Sequence, residues 1–169
     1  MSLQIINERT DMLKKILFII FFFYIFALLQ NSFFIHFNFF GSAPNLIFVF
    51  FFLLVFFEKD NFYQIIFLGF LAGLFLDFFS YNYIGPSIVL LIVIGLLAKK
   101  TQLLLKNMEN KFPFVYFLPI FLVSSVAYQI LAAMSFDLRI IVQATYNLFF
   151  AIIGFSIFKK ITNVKKIQG

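Results

Sequence analysis

Val49-Phe50-Phe51-Phe52-Leu53-Leu54-Val55-Phe56-Phe57 runs nine residues without a polar side chain, and its reading decides the fold. A strand of a membrane β-barrel alternates apolar and polar residues over about 10 positions. Neither this run nor Ile19–Phe23 alternates, so helices are expected rather than strands. The surrounding sequence extends the pattern. From Ile16 to Phe57 the only acidic, basic or imidazole side chain is His36, and from Asn61 to Ala98 it is Asp77. Phe112–Phe136 and Ile140–Phe158 contain none. A helix needs about 20 apolar residues to cross roughly 30 Å of hydrocarbon. Two of these stretches are long enough for a helical pair and two for a single helix. An all-α polytopic membrane protein with about six transmembrane helices follows.

Composition supports the same class. Of 169 residues 63% are apolar, only 12% are charged, and the mean hydropathy is +1.04. A soluble domain carries about 25% charged residues, so this chain cannot clothe a globular surface. Cysteine is absent, which removes disulfides and thiolate metal sites, and with one histidine no metal centre or other cofactor is expected. Trp is absent and Phe supplies 31 residues; no function is read from that excess.

The pI near 9.6 does not point to nucleic acid, because the cations sit at the ends of the apolar runs. Lys and Arg resist translocation and collect on the cytoplasmic side. With Arg9, Lys14 and Lys15 inside and the spans alternating, 12 of the 13 basic residues fall inside and only Arg139 falls outside. Lys59, Lys99, Lys100, Lys106, Lys111, Lys159, Lys160, Lys165 and Lys166 all obey the rule. Both termini are therefore expected in the cytoplasm. The expected spans are residues 15–35, 41–57, 61–80, 85–99, 112–133 and 139–158, within a single domain over 1–169. Span two is interrupted at its outer end by Gly41, Ser42, Pro44 and Asn45. Span one follows Lys14–Lys15 but shows no small-x-small cleavage site, so it reads as a retained anchor. Residues 101–111 read as a short basic loop, and 1–11 as a frayed or interfacial helix.

Spans three and four carry the informative residues. Gly69, Gly73 and Asp77 recur every four residues and share one helix face. Small residues at that spacing let membrane helices approach closely. Asp77 lies about 24 Å above Asn61 at 1.5 Å per residue, in the outer part of the bilayer. Gly85 suits a tight turn and Pro86 the first turn of span four, whose N-terminus carries partial positive charge. Asp77 is expected to cap that N-terminus; the alternative is a carboxylate that simply reaches water. Other membrane amides concentrate in the outer half. Gln30, Asn31, Gln129, Gln143 and Asn147 form a candidate interhelical network around Asp77, line an outward cavity, or occupy ordinary interfacial positions. Tyr63 and Tyr116 read as belt residues of the inner interface.

Gly73–Leu74–Phe75–Leu76–Asp77, then Ser80, then Ile84–Gly85, resembles the rod-shape-determining MreD family. Its members are small six-span proteins with a Gly-rich third span ending in this Asp, Ser and hydrophobic–Gly pattern. Pro44 at the start of span two also fits. Asn82, Tyr83 and Pro86 depart from the pattern. The resemblance implies a non-enzymatic inner-membrane component of the bacterial elongation machinery. Implied partners are MreC, MreB, a SEDS-type glycan polymerase, a class B penicillin-binding transpeptidase and membrane lipid. The implied function is regulation of cell shape and lateral peptidoglycan synthesis through complex formation with MreC.

The alternative is a substrate-binding membrane subunit of a vitamin importer, which should gather several convergent polar groups. Asp77 is the only charge within a span, which favours the first reading. A lipid-modifying enzyme would need a catalytic cluster, and none is legible: His36 is isolated and Ser124–Ser125 lack a nearby base.

Overall fold

A computed structural model describes residues 2–37, 41–58, 61–79, 84–106, 113–134 and 137–167. Ser80, Tyr81, Asn82, Tyr83, Lys59 and Lys111 lie outside the described residues, as do the side chains of Arg9, Lys106, Lys165 and Lys166. The described residues form six α-helices and no strand. They are α1 Ser2–Leu28, α2 Leu46–Phe57, α3 Phe62–Phe79, α4 Pro86–Lys106, α5 Pro113–Ala133 and α6 Leu138–Ile167. A π-turn over Leu29–Phe33 and a 3-10 turn over Phe34–Phe37 continue α1. The all-helical, multi-pass expectation is met.

Five of the helices are long and apolar enough to cross a membrane; α2 is not, with only 12 residues. At 1.5 Å per residue it covers about 18 Å. The sequence stops it at both ends. Pro44 and Asn45 precede it, the Asn45 side chain caps it by accepting the Phe48 N–H at 2.9 Å, and Glu58 leaves it in an extended conformation. Span two, expected over 41–57, is thus a helix over 46–57 preceded by a non-helical segment. Ten of its 12 side chains are buried, and it touches all five other helices. A helix apolar all round belongs inside a bundle, and α2 is the axis on which this one is built.

Its neighbours make room for it. Gly95 of α4 faces the Phe51 ring, where a Cβ would stand 2.8 Å from Cζ, and Gly154 of α6 faces the Leu53 side chain. Phe48, Phe52 and Phe56 meet Phe117 and Phe121 of α5, with ring centroids 5.1 Å apart for Phe52–Phe121 and 4.9 Å for Phe56–Phe117. Such edge-on pairs add about 0.5–1.5 kcal/mol each beyond area burial. That matters in lipid, where apolar burial between helices supplies little drive. The outward faces carry exposed Leu17, Phe18, Val89, Val93, Phe149 and Ile153, as lipid-facing surfaces require.

One further boundary and one residue's placement differ from expectation. Helix α4 continues through 101–106, read above as loop, because Lys99 is buried inside the fold rather than marking its edge. Tyr116 is also buried, 6.0 Å from the Phe56 ring, instead of standing in an interfacial belt.

The helices alternate in direction, so Lys15, Glu58, Lys99 and Phe158 gather at one end of the bundle, called here the basic end. Asp77, Pro86, Gln129 and Arg139 gather at the far end.

Candidate functional site

The far end is organised first by how closely α3 and α4 approach. A Cβ on Gly73 would run into the Ile88 Cα and stand 2.5 Å from its backbone N; one on Gly69 would stand 3.0 Å from the Ile92 Cα. Backbone therefore lies on backbone along this seam. One turn beyond Gly73 on the same face, the buried Asp77 carboxylate reaches the start of α4. Its Oδ2 accepts the Gly85 N–H at 2.6 Å and its Oδ1 the Ser87 N–H at 3.1 Å. These N–H groups have no partner within their own helix, and an anion there also meets the positive end of the helix dipole. Gly85 sits between the two helices at φ +128°, which a side chain rarely tolerates. Pro86 opens α4. The geometry of Gly69, Gly73, Asp77, Gly85 and Pro86 is thus one device that clamps α3 to α4.

A second polar cluster surrounds the start of α2. The Asn45 N–H donates to Asn147 Oδ1 at 2.7 Å, and Asn147 Nδ2 donates to Ser125 Oγ at 3.2 Å. Gln129 Nε2 donates to the same hydroxyl at 3.2 Å. Ser42 Oγ donates to the Arg139 carbonyl at 3.1 Å, tying the segment before α2 to the start of α6. Tyr128 stands between the clusters: its hydroxyl lies 3.3 Å from Ser87 Oγ and its ring stacks on Phe48 with centroids 5.2 Å apart.

Of the five amides singled out in the sequence, Gln129 and Asn147 meet through Ser125. Asn31 donates to the Ala27 carbonyl of its own helix at 2.9 Å. Gln30 and Gln143 line cavities at this end without being drawn into the Ser125 cluster. Asp77 meets Gly85 and Ser87, while Gln129 and Asn147 meet Ser125, and Tyr128 and Ser87 stand between the two groups. Sequence reasoning missed Asn45, Ser125, Ser87 and Tyr128 as members. Asn45 had a signal, since an Asn just before an apolar helix is a common N-cap.

At the basic end the carbonyls of α2 are satisfied from α4. Lys99 Nζ, 6% exposed as a residue, donates to the Glu58 carbonyl at 2.7 Å and approaches the Val55 carbonyl at 3.4 Å. Gln102 Nε2 donates to the Phe56 carbonyl at 3.0 Å. Lys15 pairs with the Glu58 carboxylate at 2.9 Å. Lys99 was readable only as a topological charge; its tertiary position makes it a C-terminal cap.

No group of three or more His, Cys, Asp or Glu able to hold a metal occurs among the described residues. The chain matches the family model for the rod shape-determining protein MreD over residues 11–163. It belongs to the MreD family. The match covers α2 to α5 whole and most of α1 and α6, and with them the Gly69–Asp77 seam and both caps of α2. Membership in MreD gives the chain a role in rod shape determination, as a membrane component of a family not known for catalysis. No curated protein and no solved structure matches the chain.

Proposed function

We propose that the chain is a non-enzymatic component of the elongation machinery in the bacterial inner membrane. It regulates lateral peptidoglycan synthesis in a complex with MreC. MreB, a SEDS-type glycan polymerase and a class B transpeptidase are the further partners in this reading. The basic end faces the cytoplasm, because Lys15, Lys99 and Lys159–Lys160 sit at that end and resist translocation. The single observation that carries the role is the family match over residues 11–163. The physical character of the molecule supports it. Many of its polar groups cap helices or join them, and the buried Asp77 carboxylate accepts two backbone N–H groups. A rigid bundle with broad apolar faces suits a scaffold that partners' membrane helices can meet.

Depletion in the native bacterium tests this reading. Cells are expected to round up and to lose new wall insertion along their flanks, and MreC is expected to co-purify with the chain. Unchanged rods, or a growth defect cured by a single vitamin, would remove the elongation role and favour the importer reading.

A further inference from the structure

Two cavities open beside each other at the far end. The first, about 590 Å³, lies between α1, α3, α4 and α5; the second, about 460 Å³, lies between the end of α1, the segment before α2, α5 and α6. They share Gln30, Tyr128, Ala132 and Ala133 as a common wall. Each falls within the range of small-ligand sites. The first is mostly apolar, with Leu76, Leu90 and Leu131 on its walls, and it is bordered by Asp77.

The common wall and the second cavity carry an unmet demand. Gln129 is 5% exposed; its Nε2 is committed to Ser125, and its Oε1 is buried and accepts no hydrogen bond among the described residues. Gln30 Oε1, on the wall between the cavities, is likewise buried without a donor. Protein interiors rarely leave such acceptors unmatched. Gln30 also stands in a π-turn, a distortion that recurs at functional sites. Two carbonyl oxygens therefore ask for donors.

We propose that this paired cavity binds a donor-rich group, a hydroxyl or primary ammonium headgroup, whose apolar remainder lies against Leu76, Leu90 and Leu131. The Gln30 and Gln129 carbonyls accept from the headgroup, and Tyr128 and Ser87 border it. The proposal is independent of the elongation role. The chemistry fits the head of a phospholipid or a free polyol or amine.

The test uses the full chain purified in detergent, with short-chain phospholipids of identical tails and ethanolamine, glycerol or choline heads, and with free ethanolamine and free glycerol. Thermal unfolding and native mass spectrometry read binding. Choline offers no N–H or O–H donor, so ethanolamine or glycerol lipids are expected to raise the unfolding temperature and stay bound while choline lipid does not. Equal stabilisation by the free compounds would keep the donor-rich ligand and assign its source to solutes. Gln30→Leu removes an amide with no partner to lose, so the unliganded protein should melt as before while binding weakens about tenfold, the worth of one hydrogen bond. Ala132→Phe, which fills the common wall, should abolish binding. Choline lipid binding as tightly as the others, or unchanged binding in both variants, overturns the proposal.

Discussion

At its far end α2 presents backbone N–H groups, and the acceptors that meet them are neutral amides: the Asn45 side chain on Phe48 and Asn147 on Asn45. At its basic end it presents carbonyls, and the donors are a buried ammonium and an amide, Lys99 and Gln102, both from α4. The difference follows the helix dipole, whose C-terminal end favours a cation. A helix of 12 residues cannot bring its ends to water on both sides of a membrane, so its orphan groups must be met by protein. The start of α4 shows the same logic with a charged acceptor, Asp77. The far end is therefore held by side chains from α3, α5 and α6, and the basic end chiefly by one face of α4.

Substitutions that strike one end only would sharpen this contrast, and each can be followed by the fraction of folded protein surviving heating in detergent. Gly73→Leu is expected to be the most damaging. The new side chain meets Ile88 backbone that cannot yield, so the loss should exceed the about 1–3 kcal/mol typical of overpacking and remove most folded protein. Asp77→Ala comes next, at about 3 kcal/mol, because two N–H groups lose their acceptor together; Asp77→Asn, which keeps one carbonyl oxygen, should recover about half. Equal stability of the alanine variant would break the claim that the far end depends on this cap.

Lys99→Met keeps the length of the side chain and removes its charge. About 2 kcal/mol is expected, less than for Asp77, since one close carbonyl contact is lost rather than two N–H bonds. The smallest effect belongs to Glu58→Gln. The Lys15 side chain is 51% exposed, so the ion pair should be worth under about 1 kcal/mol and fade further with salt. A larger loss there than at Lys99 would reverse the ranking of buried over surface contacts at the basic end.

The clamp between α3 and α4 was readable beforehand because all its parts are local. Gly69, Gly73 and Asp77 share a face by helical period alone, and the turn to Pro86 is short enough to return the carboxylate to the next helix. The Asn45–Asn147–Ser125–Gln129 cluster was only half readable. Helix period alone puts Ser125 and Gln129 on one face of α5, but not the packing of α6 that brings Asn147 to the same hydroxyl. Lys99 shows the limit most sharply. A lysine at the end of an apolar run reads as a membrane boundary, and nothing local distinguishes it from Lys100, which is exposed.

By itself the sequence determined that this is a helical, multi-pass membrane protein, because apolar length and the lack of alternation act through local backbone physics. It also carried the residues of the MreD resemblance. Only the tertiary structure decided that the most apolar helix is the buried axis rather than a full span, that Lys99 and Asn147 close its ends, and that two glutamines border one paired cavity. Those outcomes depend on how helices rotate and pair, which is set by long-range contacts that no window of sequence contains.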